Sequence, residues 1–262
     1  MTFEGILRRL RKVARWIVDP PGGESAGERP DDVDERVRKA LQALPDDFSW
    51  LMPPRELHAS EPWDQWWRNQ FTAQIPLMFV DIFCHDDPLL DAIHARGLST
   101  VLCVGSGVSA EPHALAGAGL QVTALDLSPL AMHAAAKISL NPEHTKQFFK
   151  PEHLRPGGSL QFCVGDLTDA AICPGPYDVI IERKTLQLFP DTERGDATAA
   201  VLRRLADNGS LLTHSHDGGW KPGTPPRSPV APLLESSGIH VMGLGGQLPP
   251  EGRVAFVFRS TG

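Results

Sequence analysis

Apolar positions along the chain follow two rhythms. The clearest stretch runs from Val101 to Ser128: a short apolar run, VLCV, a turn at Gly105-Ser106-Gly107, an Ala- and Leu-rich segment, and a second apolar run ending at Asp126. Uninterrupted apolar runs of this length suit strands covered on both faces, and the segment between them suits a crossover helix. The alternation continues downstream. Ser128 is a good N-cap for a helix to about Ile138, and strands are predicted over 159–164 and 177–182. A helix over about 192–205 follows, closed by Asn208 and Gly209, and a fifth strand starts at 210–213. Helical residues over 230–236, a strand at 239–244, a turn and a strand at 254–258 complete the chain. Strands alternating with helices in this way predict an α/β fold on a doubly wound, Rossmann-like, seven-stranded sheet.

Upstream the rhythm is helical only. Phe3, Ile6, Leu7, Leu10, Val13, Ala14 and Ile17 recur at helical spacing, with basic residues elsewhere on the wheel. Such a helix packs on its own domain, self-associates with a second subunit, or lies on a partner or membrane surface, and the sequence leaves these open. Residues 19–32, DPPGGESAGERPDD, read as a linker. A short helix is expected over 33–44, then an ordered loop. WDQWW at 63–67 opens another helical region, interrupted at Pro76, and a helix from about Pro88 to Arg96 leads into the first strand. Residues 1–85 thus read as an N-terminal helical extension and linker, placed to serve as a lid, and 86–262 as the main domain.

The glycine turn and Asp126 give the main domain its chemistry. Gly105 and Gly107 let the backbone bend sharply and approach a ligand. The following helix directs unpaired N–H groups at the turn, and a carboxylate 21 residues after Gly105 is placed to accept ribose hydroxyls. This is a nucleoside-cofactor site. Gly105, Gly107 and Ala110 also satisfy the GxGxxA form of a dinucleotide fold, so an NAD(P)-dependent oxidoreductase remains the alternative.

Composition narrows the partners. Residues 1–18 hold five basic side chains and one acid, so a net charge of −7 leaves −11 on the rest of the chain. Such a body repels a phosphate backbone, and nucleic acid is not an expected substrate. No apolar run approaches the ~20 residues that cross a bilayer, and no leader-like segment opens the chain, so no integral membrane contact and a cytoplasmic protein are expected. Cys84, Cys103, Cys163 and Cys173 form no CxxC pair and read as buried, reduced thiols. His214 and His216 have metal-like spacing but no third ligand is evident, so no metal is expected. His216, at a strand tip, is a candidate general base; the alternative is a histidine bonded to loop backbone. His113 reads as structural.

The string VTALDLSPLAM, with an acid, an apolar residue and Ser at the strand end, resembles the corresponding segment of class I S-adenosylmethionine-dependent methyltransferases. That resemblance implies S-adenosylmethionine as cofactor and a sheet whose last strand runs antiparallel. It places the methionine part of the cofactor on Gly105, Ser106 and Gly107, the ribose on Asp126 and the adenine beside Leu127. Asp166, with Leu167, would receive the adenine amino group. Glu182, at the tip of the fourth strand, joins the cofactor contacts by its place beside the cleft. Cys103 stands where the family often has an acid. The chain lacks [DNS]PP[YFW] after the fourth strand and a Pro-Cys nucleophile, which favours a small-molecule acceptor. WDQWW and YDVIIERKTLQLFPDTER resemble segments of the thiopurine and thiol methyltransferase branch, implying Trp63 or Trp67 near the cofactor and Arg183 near the acceptor. The expected activity is in-line methyl transfer to a sulfur, oxygen or nitrogen nucleophile, with a non-catalytic cofactor-binding protein as a further alternative.

Overall fold

The computed structural model describes residues 54–72, 90, 93–139, 153–182, 185–215, 230–243 and 252–259. The chain divides into two compact units, the larger made of Arg55–Asp64 and Phe79–Gly262, the smaller of the remaining residues up to Met78. Helix α1, Ser60–Thr72, begins in the larger unit and continues into the smaller. The expected helices at 3–17 and 33–44 and the linker at 19–32 lie outside the described residues.

The larger unit is built on β1 (Thr100–Val104), α2 (Glu111–Gly117), β2 (Gln121–Asp126), α3 (Pro129–Ser139), β3 (Ser159–Val164), β4 (Tyr177–Glu182), α4 (Asp191–Leu202), β5 (Leu205–Ser215), α5 (Ala231–Ser236), β6 (His240–Gly243) and β7 (Val254–Arg259). The strands form one sheet in the order β3-β2-β1-β4-β5-β7-β6. Order reverses between β1 and β4, so the switch point lies at their carboxyl ends.

Strand pleating explains why these apolar runs are continuous. Leu102 and Val104 of β1, with Leu125 and Ile180, enter a core completed by Leu186, Phe189, Ala197, Val201 and Leu234. Val101 and Cys103, with Val122, Val179 and Ile181, enter the core on the opposite face, with Leu115 and Leu120. Both sets are buried because helices cover both faces of the sheet.

Three expectations are corrected. The last strand is not antiparallel: β7 pairs parallel with both β5 and β6. The sequence predicts a turn between these strands, at 245–253; ten residues separate β6 from β7. Four-residue β6 rises only about 13 Å, and ten residues reach up to about 35 Å, enough to return to the starting end of the sheet. There His240 N–H bonds Arg253 O at 3.3 Å. Secondly, Asn208 and Gly209 do not close α4. That helix ends at Leu202, and β5 already begins at Leu205, whose side chain is fully buried. Asn208 and Gly209 sit within β5, where its register with β4 shifts between Tyr177 and Val179. Arg204 fills the capping role instead, its guanidinium donating to Ala200 O at 2.6 Å and Asp169 O at 2.6 Å. Thirdly, only Cys103 among the described cysteines is buried; Cys163 and Cys173 are half-buried free thiols.

Candidate functional site

The bend after β1 holds Gly105 at φ +58° and Gly107 at φ +51°, both left-handed conformations that favour glycine. Gly105 has a second reason to lack a side chain. A Cβ there would stand 2.0 Å from Thr185 Oγ1, so its close neighbour is the segment after β4. Thr185 Oγ1 in turn donates to Val104 O at 3.3 Å. Ser106 is half-buried, and its N–H bonds Leu125 O at 3.0 Å. Helix α2 starts only at Glu111, four residues past Gly107, and is seven residues long, so the bend rather than the helix end shapes this place.

Asp126 ties the bend to the tip of β2. Its Oδ2 accepts the Gly107 N–H at 2.8 Å and its Oδ1 the Ser128 N–H at 2.9 Å. Its carbonyl accepts the Gly165 N–H of the loop after β3 at 3.0 Å. The residue is half-buried. Burial raises its carboxyl above the usual range, the N–H bonds from Ser128 and Gly107 pull it back, and nearby Asp64 raises it further. Leu127 is half-buried beside it.

The other two carboxylates differ. Asp166 Oδ1 accepts Thr168 N–H and Oγ1–H, each at 2.8 Å, and Oδ2 faces His58 Nδ1 at 2.6 Å. Burial pushes this carboxyl up, but the bonds from Thr168 and His58 outweigh it and hold it below the usual range. Leu167 is buried in the core with Leu125 and Leu186. Glu182 is sealed at 2% exposure. Its Oε1 accepts the N–H groups of Thr185 at 2.7 Å and Leu186 at 2.8 Å, and its Oε2 accepts Thr213 Oγ1–H at 2.6 Å. It holds the strand tips together and leaves little to offer a cofactor. Trp67, in the smaller unit, is buried and packs edge-to-face on Trp66 with ring centroids 4.8 Å apart. Arg183 and His216 lie outside the described residues. His113 is buried, which lowers its imidazole to about 4. Among the described residues no cluster of three metal-ligating side chains occurs.

Two residues escaped the sequence reading. Asp64, the acid of WDQWW, accepts the Ser128 hydroxyl and the Leu130 N–H, the latter at 3.0 Å. Ser128 Oγ caps α3 by accepting the Ala131 N–H at 3.1 Å. His58 lies between Asp166 and Glu193 Oε2, the latter at 3.3 Å, with its ring edge-on to Phe189. Both contacts join residues more than sixty positions apart, where no local spacing gives a signal.

An open parallel sheet with this switch point, a glycine bend after β1 and an acid at the tip of β2 define a nucleoside-binding, doubly wound fold of the class I S-adenosylmethionine-dependent methyltransferase type. The chain belongs to the thiopurine S-methyltransferase (TPMT) family, whose model matches residues 58–235. No curated protein matches the sequence. Solved structures similar to it include a TehB-like SAM-dependent methyltransferase from Corynebacterium glutamicum, 26% identical over 68% of this chain and 80% of that one, with a TM-score of 0.40. Magnesium protoporphyrin IX methyltransferase from Synechocystis, with bound SAM, is 16% identical over 88% and 86%, with a TM-score of 0.42. A SAM-dependent methyltransferase from Methanosarcina mazei is 21% identical over 46% and 54%, with a TM-score of 0.39. This chain spans about half the length of the first solved structures it matches, from 45% to 54%. The family decides between the two cofactor readings of the glycine pattern, against the dinucleotide. No helix among the described residues is long and apolar enough to cross a membrane.

Proposed function

We propose that this protein transfers a methyl group from S-adenosylmethionine to a small-molecule acceptor through a sulfur, oxygen or nitrogen nucleophile. Bound S-adenosylmethionine supplies an already activated methyl on a sulfonium. What remains for the protein is to hold donor and acceptor in line, exclude water and take up any proton the acceptor releases. The supporting observation is Asp126. Each of its carboxylate oxygens accepts a backbone N–H, and the group lies half-buried at the strand tip where a ribose diol would bind. The donor set therefore fits the nucleoside, with Gly105, Ser106 and Gly107 supporting the amino-acid tail and Leu127 flanking the base. Arg183 is assigned to the acceptor on the family resemblance, and His216 to its proton on its place after the fifth strand and the near-neutral titration of histidine. Glu182 is not carried forward, since its carboxylate serves the fold. The acidic body favours a small acceptor over nucleic acid, and a cytoplasmic location accompanies that reading.

Calorimetry tests the cofactor. S-adenosylhomocysteine should bind and NADPH should not, and Asp126→Ala should weaken S-adenosylhomocysteine by at least roughly tenfold, the worth of one charged hydrogen bond. Unchanged affinity in that variant overturns the ribose assignment. A screen of thiols, phenols and amines for S-adenosylhomocysteine formation identifies the acceptor atom, and binding without turnover of any of them leaves a cofactor-binding protein without catalysis.

A further inference from the structure

The segment Arg55–Asp64 is fastened to the carboxyl edge of the sheet at points on both sides of β2. At one end Leu57 packs against the core under β1 and β4, and His58 sits against Asp166 of the loop after β3 and Glu193 of the first turn of α4. At the other end Asp64 accepts the Ser128 hydroxyl and Leu130 N–H, two and four residues beyond Asp126. The seven residues from His58 to Asp64 therefore link the neighbourhoods of the two acids that the cofactor reading places nearest the adenine and the ribose.

We propose that His58 is a positioning residue of the cofactor site: as an imidazolium it ties the segment 55–64 and the Asp166 carboxylate together at the rim, and so sets cofactor affinity. The inference rests on the cofactor reading above. A neutral imidazole has one N–H and satisfies one carboxylate, whereas the imidazolium donates from both nitrogens. The groups that face it are Asp166 from the loop after β3, Glu193 from α4 and the Phe189 ring. Arg194, the cation beside Glu193, is turned to Asp191 and to the carbonyls of Leu186 and Phe189. The Asp166 bond is the largest influence and raises the imidazole; burial, next in size, lowers it, and the Glu193 bond with the charges of both carboxylates leaves it above its ordinary value. Asp166 is displaced downward by the same contact, so the two partners agree. The sign follows. The doubly bonded cation is fully present below the ordinary histidine pKa of about 6.5 and is lost as pH rises through the higher folded value.

The test is calorimetry of S-adenosylhomocysteine on the full chain from about pH 5.5 to about pH 8.5, a range that brackets histidine titration. Wild-type affinity should fall with rising pH by roughly two- to tenfold, the range for two exposed ion pairs. His58→Gln should bind weakly at every pH. His58→Arg, charged throughout and able to reach two carboxylates, should bind tightly at every pH and exceed wild type at the alkaline end. A His58→Gln variant with wild-type affinity and profile overturns the proposal, as does a His58→Arg variant that titrates like wild type. If His58→Gln fails to fold, the wild-type and His58→Arg profiles decide alone. Wild-type protein that binds no S-adenosylhomocysteine at any pH removes the cofactor reading and this inference with it, whereas binding without pH dependence removes this inference only.

Discussion

The tips of β2 and β4 look alike in sequence and have opposite fates. Each is an apolar run closed by an acid, Asp126 in one and Glu182 in the other, and the sequence alone points to both as cofactor contacts. In the fold, Glu182 is sealed beneath the strand tips and its oxygens are taken up by Thr185, Leu186 and Thr213. Asp126 is half-buried, with one backbone N–H on each oxygen. Spacing locates an acid at the carboxyl edge; burial and the number of bonds already made decide whether it binds a ligand or braces the protein. The brace also serves the site. Glu182 holds Thr185, and Thr185 fills the space beside Gly105, so the strut under β4 sets the shape of the bend after β1.

The widest separation between the two acids should appear in stability. Glu182→Ala leaves the buried Leu186 N–H, the half-buried Thr185 N–H and the buried Thr213 hydroxyl without their acceptor, and unfolding free energy should fall by roughly 3–5 kcal/mol. Asp126→Ala should act mainly on cofactor affinity. Urea unfolding of both variants checks the contrast, and equal losses would erase it. Next in size is the bend itself. Gly105→Ala forces a side chain onto a positive φ, about 1–2 kcal/mol, and onto Thr185 as well. Adding Thr185→Ala should recover the steric part and leave the backbone part. A double variant no more stable than Gly105→Ala would show that Thr185 is not what excludes a side chain there.

These residues also mark how far the sequence could be read. Six of the seven strands could be located to within a residue or two, since the central strands, buried on both faces, write themselves as largely unbroken apolar runs. The start of β5 was missed, since Asn-Gly is a strong helix-stop signal and Arg204, which does the capping, carries no such signal. The direction of β7 was missed because a Pro- and Gly-rich connection has the composition of a turn whatever its span. At the site, the bend and Asp126 were legible through local spacing. Glu182 stands where the sequence places it, but its bracing bonds were not legible, since nothing in YDVIIE discloses Thr213 across the sheet. The partnerships of His58 and Asp64 lie wholly in tertiary structure.

Asp64 provides the smallest and most discriminating of these measurements. It stands at the β2 tip beside Asp126, yet its bonds resemble those of Glu182, since it accepts from Ser128 and Leu130 within the protein. Ser128 keeps its own bond to the Ala131 N–H, so α3 is not left without a cap when Asp64 is removed. The stability cost of Asp64→Ala should therefore stay near 1 kcal/mol, the low range for a cap. The same change takes a neighbouring negative charge away from Asp126, which lowers that carboxyl toward its ordinary value. The acid proposed for the ribose would then remain ionised to lower pH, while the segment 55–64 loses one of its fastenings. The two effects oppose each other in cofactor affinity and separate with pH. Calorimetry at acid pH should show the variant closest to wild type, with the deficit growing as Asp126 becomes fully ionised in both proteins. A constant deficit across that range would mean that Asp64 acts on the fold of the β2 tip and not on the charge of Asp126.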